Sequence, residues 1–248
     1  MHDRLEDAAD QRKGSTAVER PVAAAERTLQ ILDAFVAADR PLGLGDLAER
    51  TGLFKSVLFR YLISLEKLRY VRKLPDGTYR IGTKVLQLAH SFEKSLDHRQ
   101  TIQAALQRLV GATGESAFFY VREGRHRLCL LGEDSPQSLR VSLRIGASSP
   151  LDDTSISQVL TAFDGAPPPG LDYGAEMVRH TIGVFDPLTA SISAPVFDRS
   201  GRLCGALSVS GPVQRFDVTR PAHREAIRAE AQYLSQELGF TPTRAAPG

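Results

Sequence analysis

One glycine constrains this chain more than any other residue. In LGDLAERTGLFKSVLFRYLISLEKLRYV, Leu44 to Val71, an apolar pattern of helical period stops at Gly52 and resumes immediately beside basic residues. Glycine takes the left-handed backbone conformation without steric cost, so it can end one helix and turn the chain sharply into the next. Before the corner, Leu44, Leu47, Ala48 and Thr51 give two turns of helix with Asp46 and Glu49 outward. After it, from Phe54 to Arg69, Leu58, Tyr61, Leu62, Leu65 and Leu68 share one face and leave Lys55, Ser56, Phe59, Arg60 and Lys67 largely off it. Two helices joined this tightly cross each other, with Ala48 small at the crossing and Leu47, Leu53 and Leu58 in the seam.

The flanks complete a known arrangement. From Pro21, the residues Ala25, Leu29, Leu32, Phe35 and Val36 recur at helical spacing up to the turn-like Asp39-Arg40-Pro41-Leu42-Gly43. After the third helix, YVRKLPDGTYRIG reads as two short strands around Pro75-Asp76-Gly77, where proline presets the backbone and glycine accepts a positive φ. Three helices with a corner and a hairpin make a winged helix-turn-helix, expected over 21–82. Charge agrees with it: between Leu53 and Lys84 stand eight basic residues against two acidic ones, in a chain whose total is only +2. The plainer reading is a three-helix bundle with a solvated basic face. Spacing, charge and hairpin agree independently, which favours a helix that enters the major groove of DNA.

Across the rest of the 248 residues, 42% hydrophobic and 24% charged content is enough for about two domains. Residues 1–20 are polar and aperiodic and read as a disordered tail, with a second flexible tail at 241–248. No run reaches the ~20 apolar residues of a membrane span, and no apolar leader opens the chain, so a cytoplasmic location is expected. Thr83 to Leu96 reads as one amphipathic helix on Val85, Leu86, Leu88, Ala89 and Phe92, within a linker at 83–97. The segment 98–240 mixes periods. Ile102, Leu106, Leu109 and Val110 mark a helix. SAFFYVREGRHRLCLLGE gives two apolar runs around Glu123-Gly124, and Leu139, Val141, Leu143 and Ile145 alternate with Arg140, Ser142 and Arg144 as a strand. Ala190–Phe197 and Leu203–Ser210 pair around Asp198-Arg199-Ser200-Gly201, and a last helix from Thr219 to Leu238 turns Ile227, Ala231, Leu234 and Leu238 inward. The fold class expected is α+β: an antiparallel sheet with flanking helices behind the winged domain.

Chemistry is harder to find. The chain shows no nucleophile elbow, phosphate-cradling loop, zinc helix or metal-ligand spacing, and its six histidines stand apart. No metal or cofactor is expected. Cys129 and Cys204 lie in alternating apolar stretches and read as buried thiols. The acid pairs Glu133-Asp134 and Asp152-Asp153 read as solvated loop acids, since neighbouring side chains diverge. Ser208 and Ser210 share a strand face opposite Leu207 and Val209; that face meets either water or a polar ligand. Two classes stay open: an effector-controlled DNA-binding protein, or a metabolic enzyme or sensor that uses its winged helix for protein contacts. Enzymatic activity is the less expected.

GLFKSVLFRYLISLEKLRYV followed by GTYRIGTKVLQLAHSF resembles the N-terminal domain of the IclR family of bacterial transcriptional regulators, and SAPVFDRSGRLCGALSVSGPVQRF resembles that family's C-terminal domain. The resemblance spans about Val22 to Gly239. It implies a GAF-like effector-binding fold, double-stranded operator DNA and a small-molecule effector as partners, and a homodimer or dimer of dimers held partly by the linker helix. The family's third helix usually carries lysine, serine and threonine, then an arginine after two further residues; Lys55, Ser56 and Arg60 match, and Val57 replaces the threonine. The expected DNA-binding residues are Lys55, Ser56, Val57, Phe59 and Arg60, with Arg72, Lys73 and Arg80 on a hairpin that has no evident core to cover. Carried over to the second domain, the resemblance places an effector site at Asp186, Ser208 and Ser210, walled by Ala194 and Pro195. It implies a catabolic metabolite as effector, organic and aromatic acids included. In DDTSISQVLTAF, Ser157-Gln158 replace the family's glycine-lysine pair and Asp152-Asp153 add negative charge. That departure points away from a small carboxylate and toward a larger, neutral or aromatic ligand.

Overall fold

A computed structural model describes residues 21–36, 38–95, 98–165 and 175–241. The expected tail at 1–20, the end of the linker helix at Leu96 and nearly all of the tail at 241–248 lie outside the described residues. The chain divides into two compact units, between Ser95 and Leu96.

The first unit runs α1 (Ala23–Asp33), α2 (Leu44–Thr51), α3 (Lys55–Lys67), β1 (Val71–Lys73), β2 (Tyr79–Ile81) and α4 (Thr83–Ser95). Gly52 closes α2 at φ 69°, and its N–H donates to the Ala48 carbonyl at 2.9 Å. At the other end of α2, Asp46 accepts from the Gly43 N–H at 2.7 Å and from both η nitrogens of Arg40 at 3.0 and 2.8 Å. The Arg40 bonds first, then the Gly43 bond, hold its carboxyl down at about 2. Ile31, Phe35, Leu42, Leu47, Leu58, Leu62, Leu65, Val71 and Tyr79 form the core.

Three expectations change here. On α1 the core side is Ile31 with Phe35, whereas Leu29 is 60% and Val36 72% exposed. The helix ends at Asp33, so Phe35 reaches the core from the following turn and the inferred stripe loses phase. Leu68 is exposed because α3 stops at Lys67, and Arg69, at φ 64°, reverses the chain into β1. The hairpin does cover a core: Val71 and Tyr79 are buried, and Leu42 exchanges two 2.8 Å backbone bonds with Tyr79.

The second unit runs α5 (Arg99–Thr113), β3 (Ser116–Glu123), β4 (His126–Glu133), β5 (Ser148–Pro150), α6 (Ser155–Ala162), a 3-10 turn (Ala175–Met177), β6 (Arg179–Ile182), β7 (Thr189–Phe197), β8 (Leu203–Pro212) and α7 (Pro221–Glu237). Its sheet is antiparallel throughout, in the order β5-β4-β3-β8-β7-β6. Because side chains alternate across a strand, register assigns the faces. Phe119, Leu207 and Ala194 pair across β3, β8 and β7 on the face packed by α5 and α7. Phe118, Ser208 and Ser193 lie on the opposite face, toward α6. Ile227, Ala231 and Leu234 of α7 are fully buried, as their spacing requires.

The strand expected at Leu139–Ile145 is not formed. Its alternation is real, since Val141 and Leu143 are half-buried while Leu139 and Ile145 are exposed. The segment covers a cavity mouth instead of pairing, and β5 takes the edge of β4. Both cysteines are free; burial pushes each thiol up to about 12, which suppresses the reactive thiolate.

Candidate DNA-binding surface and effector cavity

In α3 the burial of Leu58, Leu62 and Leu65 aims the opposite face outward. Ser56 and Arg60 are exposed there, Phe59 is exposed on the flank, Lys55 is exposed at the first position of the helix, and Val57 is half-buried. No side chain caps the start of α3, which leaves its first N–H groups and the positive end of its dipole accessible. Arg72 and Arg80 sit directly opposite each other in the hairpin, beside Lys73, and all three are exposed. Like charges on a cross-strand pair repel, an arrangement that an anion between them relieves. The Lys73 ammonium lies 5.9 Å from the Tyr79 ring centroid, which steadies one of these cations. Arg27 of α1 was not legible as part of this surface, because only packing brings it into one shallow groove with Val57, Arg60, Tyr61 and Ser64.

The second unit holds a cavity of about 80 Å³ on the α6 side of the sheet. At ~10–15 Å³ per water that is room for several waters or one small organic molecule. Ser208 and Ser210 line it, together with Tyr120, Cys129, Thr189 and Ser191. Val141, Leu143, Ile156 and Phe185 supply apolar wall. Ser208 is buried and accepts from Ser193 at 3.0 Å; Ser193 meets Ser155 at 2.9 Å, and Ser155 meets Ser191 at 2.8 Å. This hydroxyl chain stitches the start of α6 to β7 and β8. Ser210, half-buried, has no side-chain partner among the described residues. Burial pushes the Tyr120 hydroxyl well above its ordinary range, so it stays protonated.

The other expected effector residues do not line the cavity. Asp186 is exposed and accepts from the Leu188 N–H at 2.8 Å, serving a turn, while its neighbour Phe185 reaches the cavity. Ala194, fully buried, falls on the α5 and α7 face, one residue out of phase with Ser193. Pro195 shares the phase of Ser193 but pairs with Ala206, beyond the lining.

Two residues change the electrostatics. Arg127 on β4 is 5% exposed and lines the cavity. Asp152 is therefore no plain solvated loop acid: Oδ1 accepts from Arg127, from Ser157 Oγ at 2.8 Å and from the Thr154 N–H at 3.1 Å, with Thr154 Oγ1 closer still. Burial opposes ionisation of Asp152, but these bonds, the arginine's above all, outweigh it and hold the carboxyl well below the usual range. Of the two negative charges expected to repel a carboxylate, that of Asp152 is already matched by Arg127, and Asp153 is exposed. Glu133 likewise accepts from Gln103 at 2.8 Å and Asp134 from Arg140 at 3.1 Å, so that pair is engaged too. Among the described residues no group of three or more His, Cys, Asp or Glu is placed to hold a metal, and no helix is long and apolar enough to cross a membrane.

Known proteins share both halves in the same order. Residues 24–75 match the model of the IclR helix-turn-helix domain, and residues 187–236 match that of the bacterial transcriptional regulator IclR C-terminal domain. The DNA-binding transcriptional repressor YiaJ of Escherichia coli is 30% identical over 230 residues, covering 80% of this chain and 81% of its own. The transcriptional regulator XynR of the same organism is 26% identical, covering 87% and 96%. An IclR homologue from Microbacterium hydrocarbonoxydans, solved in complex with 4-hydroxybenzoate, superposes with a TM-score of 0.72 at 19% identity, covering 86% and 98%. The fold of both units, their order along the chain and kinship across four-fifths of a characterised repressor agree: this chain belongs to the IclR family of bacterial transcriptional regulators.

Proposed function

We propose that this regulator binds operator DNA through the exposed face of α3 and the hairpin, as a homodimer, and that a small molecule in the second unit's cavity controls that binding. One observation carries the DNA part: α3 buries Leu58, Leu62 and Leu65 while the face opposite presents Ser56 and Arg60 to solvent and Lys55 stands exposed at the start of the helix. Arg60 is the base-reading residue and Arg72, Lys73 and Arg80 are phosphate contacts. A band shift with the gene's own upstream region tests the reading: a specific complex that survives excess unrelated DNA is expected, and its absence overturns operator binding.

The hairpin gives a separate check. Arg72→Ala with Lys73→Ala is expected to weaken binding on all sequences and to flatten the slope of log affinity against log salt by roughly two units, since each neutralised phosphate contributes nearly one. An unchanged slope, measured by fluorescence anisotropy across a salt series, places the hairpin away from DNA.

Leu86, Leu88 and Phe92 on α4 and Leu29 on α1 are exposed apolar side chains, which a second copy of the chain would cover. Dimerisation sets two α3 helices at a fixed separation, the arrangement that two operator half-sites require. Such a regulator works where its DNA is, in the cytoplasm.

For the effector, the bound 4-hydroxybenzoate of the Microbacterium homologue supports a small aromatic acid. Ser210→Ala removes a hydroxyl with no side-chain partner among the described residues, so it is expected to leave stability unchanged and raise the effector concentration needed to shift operator binding. Each lost hydrogen bond costs about 0.5–1.5 kcal/mol, more where the partner is charged. Ser208→Ala also takes an acceptor from buried Ser193, so a further loss of about 1–3 kcal/mol in folding stability is expected. Thermal unfolding alongside an effector titration separates the two; an unshifted titration for Ser210→Ala places ligand contact elsewhere.

A further inference from the structure

Arg127 is bound lopsidedly. Its Nη1, with two hydrogens, has four acceptors within reach: Asp152, Ser157 Oγ at 2.6 Å, Thr154 Oγ1 at 2.9 Å and the Pro150 carbonyl at 3.4 Å. Its Nε and Nη2 have no partner among the described residues. Among the described residues no side-chain nitrogen or oxygen closed off from solvent lacks a hydrogen bond, so these two donors are reachable by solvent, and Arg127 lines the cavity. Nε and Nη2 form the edge of the guanidinium that matches a carboxylate with two parallel N–H···O bonds.

Asp152 does not occupy that edge. The bonds it accepts all fall on Oδ1, and its side chain is 42% exposed, so water solvates its charge from outside the cavity. Two donors that only water satisfies in a largely buried guanidinium favour an anion, which replaces that water with charged hydrogen bonds. The cavity's lining is also apolar at Val141, Leu143, Ile156 and Phe185.

We infer that Arg127 is the anion anchor of this cavity and that the effector is a monocarboxylate with an apolar body, seated with its carboxylate on Nε and Nη2. The inference rests on the effector-cavity reading above and names its ligand class. It reverses the expectation drawn from Asp152-Asp153 alone, since the partner of Asp152 lies on a strand 25 residues earlier in the chain. The hydroxyl of Ser210 is then left to a polar substituent elsewhere on the ligand.

The test uses the full chain with matched pairs of acid and primary amide: benzoate with benzamide, 4-hydroxybenzoate with 4-hydroxybenzamide, phenylacetate with phenylacetamide. Hydrogen bonds between charged groups are strong enough that at least one acid is expected to bind the wild type about tenfold or more tightly than its amide, by calorimetric titration. Arg127→Lys keeps a cation for Asp152 but lacks the fork, and is expected to bring the pair to within about threefold. Asp152→Asn leaves the fork in place and is expected to retain the preference for the acid, which guards against a result caused by misfolding at Arg127. If no acid is preferred by the wild type, or if the preference survives Arg127→Lys in a protein of unchanged melting temperature, the inference is overturned. A band shift on the same samples keeps the two readings apart: operator binding without acid preference overturns only this inference, whereas lost operator binding in the wild type overturns the regulator reading.

Discussion

Leu62→Ala is expected to cost about 2–5 kcal/mol of folding stability and, with it, most operator binding at 37 °C. Leu62 is 1% exposed in the middle of α3, in a core of nine buried residues among those described. Truncation loses the transfer free energy of the removed carbons and leaves a cavity that a small domain collapses only in part. Against a typical total of about 5–15 kcal/mol, that loss approaches the whole stability of the unit. Leu68→Ala is the matched control. The two leucines share one face by helical period, yet Leu68 is 59% exposed beyond the end of α3, so its truncation is expected to stay within about 0.5 kcal/mol. Urea unfolding followed by circular dichroism measures both, and equal losses would mean that Leu68 is buried after all.

The second large effect is on binding rather than folding. Arg60 stands exposed on the face of α3 opposite Leu62, in the groove shared with Arg27. A guanidinium that reads guanine through O6 and N7 contributes about 1–3 kcal/mol of discrimination. Arg60→Ala is thus expected to weaken specific operator binding by roughly 5- to 150-fold while changing affinity for unrelated DNA far less. Because the fork and not the charge reads the base, Arg60→Lys is expected to restore little of the loss. Equal losses on operator and unrelated DNA, in anisotropy titrations at one salt concentration, would reassign Arg60 to the phosphate backbone.

Sequence periodicity and turn chemistry alone determined the three helices and the linker helix of the first unit, α5 and α7 of the second, the left-handed corner at Gly52, the hairpin at Pro75-Asp76-Gly77 and the pairing of β7 with β8, but not α6. Each of these is set within a few residues: a glycine that accepts positive φ, a proline that presets the backbone, an apolar stripe that must face inward. The outward placement of Ser56 and Arg60 was legible for the same reason, since burying one side of α3 aims the other. What tertiary structure decided is where those local patterns stop and which distant residues they meet. Leu68 and Val36 follow their stripes in sequence and leave them in space, because the helix ends first. Leu139–Ile145 alternates like a strand, but an alternating segment needs only one buried side, and a cavity mouth satisfies that as well as a neighbouring strand. Ala194 and Ser193 adjoin in sequence yet lie on opposite faces of the sheet, which is a matter of register with β8. Arg127, Asp152 and Ser157 come from β4, a loop and α6, separated by up to 30 residues, and their charge balance exists only once the sheet has closed around them. Local sequence carries no information about such a meeting, because the energy that favours it is gained from burial and pairing across the whole domain.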